Sequence, residues 1–222
     1  MYSVIIRVKN EEAYIGHAIQ SCLDLLDNPE IIIVNDNSTD KSLYISRLFI
    51  SKDEFGNSFD KNYCKLRIIN IKDYTPGKAI NLGVKHCTNE NVIILSSHCN
   101  ITKFDNNIIT KNLEDFGVIF GNQIPFYHGK RIKKNYIWSN FTEKEVINMW
   151  SESEQRYFFH NAASIFRKNI LQKNPFDEKI GGKEDRYWAN SWISKNKRII
   201  YQPAFEVNHH YTSEGNTWKG IG

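Results

Sequence analysis

Residues Val92 to Ile101 read VIILSSHCNI. Four apolar residues run without interruption and then break at Ser96-Ser97-His98-Cys99. A short apolar run bounded by polar residues fits a strand buried on both faces, but periodicity alone does not separate it from a buried piece of helix. The neighbouring segments decide. Working back toward Met1, Lys65–Asn70, Ile31–Val34 and Ser3–Val8 (SVIIRV) read as further strands. Between them lie amphipathic stretches: Tyr14–Leu26, then Lys41–Ile50, opened by the capping cluster Asp36-Asn37-Ser38-Thr39-Asp40, then Gly77–His86, introduced by the turn Tyr74-Thr75-Pro76-Gly77. Strand and helix in alternation predict an α/β fold, a doubly wound and mostly parallel sheet with helices on both faces.

Beyond residue 101 the pattern is less regular. Asn122 to Asn148 is rich in aromatic and basic residues with weak periodicity and reads as an excursion over the active face. Ala163–Arg167 is a strand candidate, Glu184–Lys195 a helix and Arg198–Tyr201 a final strand. No internal repeat, low-complexity tract or interdomain linker is present, so 1–222 reads as one domain, with 1–100 as a nucleotide-binding half and 101–222 as an acceptor and catalytic half.

At 222 residues with 41% hydrophobic residues, the chain is long enough to bury a sizeable core. No apolar run is long enough to cross a bilayer and no signal segment follows Met1, which predicts a cytosolic protein. Cys22, Cys64, Cys87 and Cys99 form no C-x-x-C pair, arguing against a disulfide framework or zinc knuckle and for reduced thiols. A net charge of +4 is compatible with an anionic ligand, but no basic block, helix-turn-helix or RNA-binding signature accompanies it, so no nucleic-acid partner is expected.

In open parallel sheets, ligands bind beyond the carboxyl ends of the strands. Here those ends deliver Lys9 and Asn10, then Asn35 and Asp36, then Lys72 and Asp73, then Ser96 to Cys99. Asp36 has two readings. It belongs to the capping turn of the next helix, or, since Ser38 and Asp40 suffice as caps, its carboxylate is left to accept from a base N–H. Lys78 stands at a helix start, where unpaired N–H groups and the helix dipole favour anions.

The stretches SVIIRVKNEE, IIIVNDNSTD, PGKAINLGV, SSHC, FFHNAASIFRK, GGKEDRYWA and VNHH, in that order, resemble the family 2 glycosyltransferases of GT-A fold, almost from end to end. The resemblance implies an inverting enzyme that moves a sugar from a nucleotide-sugar donor to a hydroxyl of a glycan or lipid-linked glycan acceptor, in bacterial surface polysaccharide synthesis. By that likeness Asp36 binds the base, Arg7, Lys9 and Asn10 lie beside the nucleotide, and Lys78 lies near the donor phosphates. Asn161, with His160, lines the donor-sugar pocket, Asp185 is the base that deprotonates the acceptor, and Glu184 supports it. Ser96-Ser97-His98-Cys99 looks like the Asp-x-His-Cys variant of the family's Asp-x-Asp motif, found in polypeptide N-acetylgalactosaminyltransferases, with serine in place of aspartate. Ser96 and Ser97 then face the donor, while His98 and His209, from Val207-Asn208-His209, are the implied ligands of a divalent cation, Mn or Mg. The alternative is that Arg7, Lys9 and Lys78 neutralise the diphosphate without metal.

Lys130-Arg131-Ile132-Lys133-Lys134 reads either as a solvated loop or as a peripheral contact with the inner face of an anionic membrane. Ser96, where an acid is expected, leaves a second reading open, a catalytically inactive nucleotide-sugar-binding scaffold. A sugar nucleotidyltransferase is disfavoured, because Met1 to Glu12 lacks a Gly-rich phosphate loop with arginine.

Overall fold

The computed structural model describes residues 1–50 and 65–213; Cys64 lies outside the described residues. The first half follows the expected alternation: β1 Tyr2–Val8, α1 Ile15–Leu25, β2 Glu30–Asn35, α2 Ser42–Arg47, β3 Lys65–Asn70, α3 Pro76–His86 and β4 Asn91–Ser96. Next come β5 Cys99–Phe104, α4 Asn106–Phe116, β6 Val118–Tyr127, β7 Lys130–Arg131 and a 3-10 turn at Tyr136–Asn140. The chain continues through β8 Val146–Ile147, β9 Trp150–Ser151, β10 Arg156–Tyr157, β11 Ala163–Arg167, α5 Lys168–Lys173, α6 Glu184–Ile193 and β12 Ile200–His210.

The central sheet runs in the order β3-β2-β1-β4-β11-β6-β12-β5. Strands β3, β2, β1 and β4 are mutually parallel, β11 is antiparallel to both β4 and β6, and β12 lies parallel to β6 and antiparallel to β5. Alternation along β1 fixes the two layers: Ile5 packs on one face with Ala79, Ile80 and Val84 of α3, whereas Val4, Ile6 and Val8 pack on the other with Ile15, Ala18, Ile19 and Cys22 of α1. The α1 residues recur at helical spacing and are fully buried. Each such isoleucine contributes about 1.5–3 kcal/mol relative to exposure.

Three features depart from the sequence reading. The segment 122–148 is not a loose excursion throughout, because Val118–Tyr127 is a strand in the heart of the sheet. Its Asn122 and Gln123 are fully buried, so polar residues interrupt the apolar run that would have signalled a strand. The last strand extends to His210, past Pro203, and three residues, Pro203 to Phe205, lie between the register pairs Gln202–Gly121 and Glu206–Asn122. Proline is tolerated there because a bulge needs no ladder donor. Finally, β5 and α4 were not anticipated, although α4 carries ordinary signals: Asp105 Oδ1 accepts from the N–H groups of Asn107 and Ile108, and Gly117 ends the helix at φ 73°.

Cys87 and Cys99 are free, buried thiols, and burial pushes the Cys87 thiol up to about 12. No helix among the described residues is long and apolar enough to cross a membrane.

Candidate active site

A cleft of about 690 Å³ opens where β1, β2 and β4 end, and the segment leading into α6 closes its far side. The strand ends contribute Arg7 and Lys9, then Asp36, then Ser96, Ser97 and His98; His160 and Asn161 enter ahead of β11, and Glu184 and Asp185 from the first turn of α6. The β4–β5 connection is only Ser97-His98, which places the histidine at the lip. Asp40, not Asp36, serves the turn before α2, its Oδ1 accepting from Ser42 N–H and its Oδ2 from Glu12 N–H. Asp36 is left in the cleft, paired with Lys9 Nζ at 3.1 Å.

The approach to α6 is fixed from α3. Thr75 Oγ1 accepts from Lys78 N–H at the start of α3 and donates to the Glu178 carbonyl. Asn81 clamps Phe176 through both its amide oxygen and its amide nitrogen. Gly77 permits this close approach, since a Cβ there would lie 2.5 Å from the Asp177 carbonyl oxygen. The chain then turns at Lys183, φ 59°, and delivers two acidic residues to the helix start, where the dipole favours negative charge.

Glu184 and Asp185 differ sharply in environment. Burial and the Asp185 charge raise the Glu184 carboxyl, partly offset by Arg7, whose Nη1 donates to Glu184 at 3.2 Å. Burial alone would raise Asp185 as well, but the Arg186 guanidinium, His160 and the N–H groups of Asn161 and Arg186 outweigh it and hold the carboxyl below its ordinary value. Asp185 Oδ2 accepts from Asn161 N–H and Arg186 Nη1, and Oδ1 accepts from Arg186 N–H. A carboxylate has about four acceptor positions, so Oδ1 retains one. Arg186, itself buried, also binds Glu154 Oε2 at 2.9 Å and the Phe159 carbonyl at 2.8 Å. Two donors in the cleft wall, Arg7 Nε and Asn161 Nδ2, are buried without a hydrogen-bond partner, a condition costing about 1–3 kcal/mol each that a ligand oxygen would relieve.

Behind His98 runs a polar chain. Its Nδ1 lies 3.0 Å from Glu11 Oε1 and its Nε2 lies 3.1 Å from Nε2 of His209. His209 Nδ1 meets Gln123 Oε1 at 2.9 Å, and Gln123 Nε2 meets His160 Nδ1 at 3.0 Å. Burial, reinforced by the neighbouring histidines, holds His209 well below the usual imidazole range, and burial with Arg186 pushes His160 down to about 3. Both rings are therefore neutral at pH 7, the form that binds metals. Two nitrogens each about 2.1 Å from a common cation stand about 3.0–3.4 Å apart at bond angles of about 90–109°, so the His98–His209 spacing fits a pair of ligands on one ion. Among the described residues no group of three or more His, Cys, Asp and Glu side chains could hold a metal, so the protein supplies an incomplete shell.

Several expected residues stand apart from the cleft wall. Asn10 ties the first loop to the second, accepting from Thr39 N–H at Oδ1 and donating its own N–H to Ser38 Oγ. Lys78 Nζ is turned onto the carbonyls of Lys72 and Asp73. With Arg7 on Glu184 and Lys9 on Asp36, each of the three cations of the metal-free alternative is already engaged. Glu11, Gln123, Glu154 and Arg186 were not anticipated. Only Glu11, in the first-strand loop, carried a positional signal; nothing in the sequence pointed to the rest.

The family model described as Glycosyl transferase family 2 matches residues 3–174. The minor teichoic acid biosynthesis protein GgaB of Bacillus subtilis (strain 168) is 25% identical over 221 residues, 95% of this chain and 23% of that protein. Among solved structures, TarS of S. aureus in complex with UDP-GlcNAc superposes with a TM-score of 0.71 at 20% identity, covering 99% of this chain and 61% of that one. GalNAc-T7 with UDP, GalNAc and Mn2+ superposes with a TM-score of 0.70 at 13% identity, covering 97% and 44%. The chain thus spans about a quarter of the length of GgaB and under two thirds of the TarS chain, and these structural likenesses establish the GT-A fold.

Proposed function

The chain belongs to glycosyl transferase family 2, and on that premise we propose that it is an inverting glycosyltransferase acting in bacterial surface polysaccharide synthesis. It takes a sugar from a nucleotide-sugar donor and passes it to a hydroxyl of a glycan or lipid-linked glycan. The observation that carries this reading is the gathering of Asp36, His98 and Asp185, from three separate loops, around one cleft. The kinship with a teichoic acid protein supports the surface-glycan setting, and the UDP in related folds makes UDP the first nucleotide to test.

In this reading Asp36 accepts from the base, with Lys9 at its side, and Asn161 Nδ2 donates to a donor-sugar oxygen. Asp185 is kept ionised by Arg186 and keeps one acceptor position, so it can take the proton of the acceptor hydroxyl. That oxygen forms its bond to the anomeric carbon from the face opposite the diphosphate. The bond between that carbon and the phosphate oxygen breaks, and its electron pair leaves with the nucleoside diphosphate. Glu184 holds Arg7 in the cleft. His98 and His209 would hold a divalent cation, whose contribution is to neutralise the diphosphate oxygens as they gain charge. The whole chain works as one GT-A unit, 1–100 serving the nucleotide and 101–222 the acceptor and catalysis, in the cytoplasm. Lys134 is turned inward onto Asn122 Oδ1 and the Phe141 carbonyl, so the basic run at 130–134 does not present one uniform charged face.

The test is turnover of UDP-sugars by the wild type and Asp185→Asn. Loss of transfer and of donor hydrolysis with nucleotide affinity retained supports the enzyme. Wild-type protein that binds UDP yet turns over no donor of a full panel supports the inactive scaffold instead.

A further inference from the structure

The four hydrogen bonds behind His98 prescribe which ring nitrogens carry protons. Glu11 presents a carboxylate oxygen, which only accepts, so His98 Nδ1 donates and His98 Nε2 is left with a lone pair. Gln123 presents its amide oxygen to His209 Nδ1 and its amide N–H to His160 Nδ1, so His209 also carries its proton on Nδ1 and its Nε2 is bare. Two lone pairs thus converge across 3.1 Å. Lone pairs that face each other repel unless a cation lies between them, and the arrangement is held in place from both outer sides.

We propose that Glu11 and Gln123 are positioning residues that lock His98 and His209 in the Nδ1–H tautomer and so build a divalent-cation site from just two side chains. The inference deepens the reading given above and rests on its cation. It explains how a chain with Ser96 where a carboxylate is expected can still bind metal: Glu11 supplies negative charge from behind His98, making the imidazole a stronger ligand without touching the ion. It also accounts for a fully buried glutamine in the middle of β6, a position that a purely structural strand would fill with an apolar residue.

The experiment is titration of the protein with MnCl2, with and without UDP, following free Mn2+ by electron paramagnetic resonance. Gln123→Leu and Glu11→Ala each lower Mn2+ affinity by about 10–100-fold. Gln123→Glu restores it to within about threefold, since a protonated carboxyl offers the same acceptor to His209 and the same donor to His160. UDP affinity in the absence of metal stays at the wild-type value in all three. Melting temperatures identify any variant that fails to fold, and Glu11→Ala, whose side chain is bonded only to His98, then decides alone. Wild-type affinity in folded Gln123→Leu or Glu11→Ala overturns the inference while leaving cation use intact. A wild type that binds no Mn2+ overturns both. An affinity loss that Gln123→Glu fails to restore overturns the tautomer lock.

Discussion

Arg186 offers the most informative single perturbation. It is buried between two acids, donating to Asp185 Oδ2 and Glu154 Oε2 at 2.9 Å each and to the Phe159 carbonyl at 2.8 Å, with its guanidinium 4.9 Å from the Phe158 ring centre. Arg186→Met keeps the aliphatic stem and removes the charge, stranding both carboxylates in a site of low polarity. Breaking a buried pair by removing one partner costs about 3–5 kcal/mol. At about 2–4 °C per kcal/mol for a domain of this size, the melting temperature falls by about 6–20 °C. The double variant Glu154→Gln/Arg186→Met recovers part of that loss, because one of the stranded charges is gone. The same change acts on chemistry. Wild-type Asp185 lies below its unfolded value, so its contribution is present above the ordinary aspartate range and is lost as pH falls through the folded value. Without Arg186 the carboxyl rises, and the acid limb of the pH–rate profile moves to higher pH. Thermal melts followed by circular dichroism, with a pH–rate series on the variant, measure both effects. A melting temperature within about 2 °C of wild type and an unmoved acid limb would refute the assignment of Arg186 as the partner that keeps Asp185 charged.

Asp36→Ala weakens UDP binding by about 10–100-fold, the equivalent of one hydrogen bond to a charged group, and calorimetry returning the wild-type constant contradicts the base contact. His98→Ala abolishes manganese stimulation of transfer; turnover indifferent to a chelator in the wild type shows instead that no metal takes part. Gly121→Ala puts a Cβ 2.6 Å from the Phe205 carbonyl oxygen, so β12 must shift at a cost of about 1–3 kcal/mol, read by urea denaturation, and no loss means the strand yields freely. Stability also falls on acidification below pH 6.5. His160 is neutral down to about 3 when folded but titrates near 6.5 when unfolded, so the unfolded chain binds the extra proton in that window. Urea unfolding between pH 7.5 and 5 then shows a decline of up to about 1.4 kcal/mol per pH unit from this ring, and a flat profile is incompatible with a buried neutral His160.

The nucleotide side of the cleft was legible because parallel strands deliver polar groups to one sheet edge, and SVIIRV, IIIV and VIIL are uninterrupted apolar runs. The acceptor side was not. Gln123 and Asn122 sit where a core strand should be apolar, and their hydrogen bonds to His160, His209 and Glu206 join residues 37 to 86 positions apart. No local pattern encodes such pairings. Arg186 reads as an ordinary helix residue, because what makes it matter is Glu154 on a distant hairpin and the preceding Asp185. The helix at Asn106–Phe116 is a different case, since its aspartate cap, its apolar Ile109 and Leu113 and its terminal Gly117 were all in plain view.

The crossing at Pro203–Phe205 governs more than strand pairing. Side chains on a strand point alternately up and down, so the number of surplus residues there sets the phase in which the two histidines arrive. As built, His209 points inward to His98 and His210 outward, its ring stacked on Tyr14 with centroids 4.8 Å apart. Removing one residue would swap their orientations and offer His210 to the cleft from a different height along the strand. Loop length at a point remote from the reacting atoms is therefore quantised, admitting changes of two residues far more readily than of one.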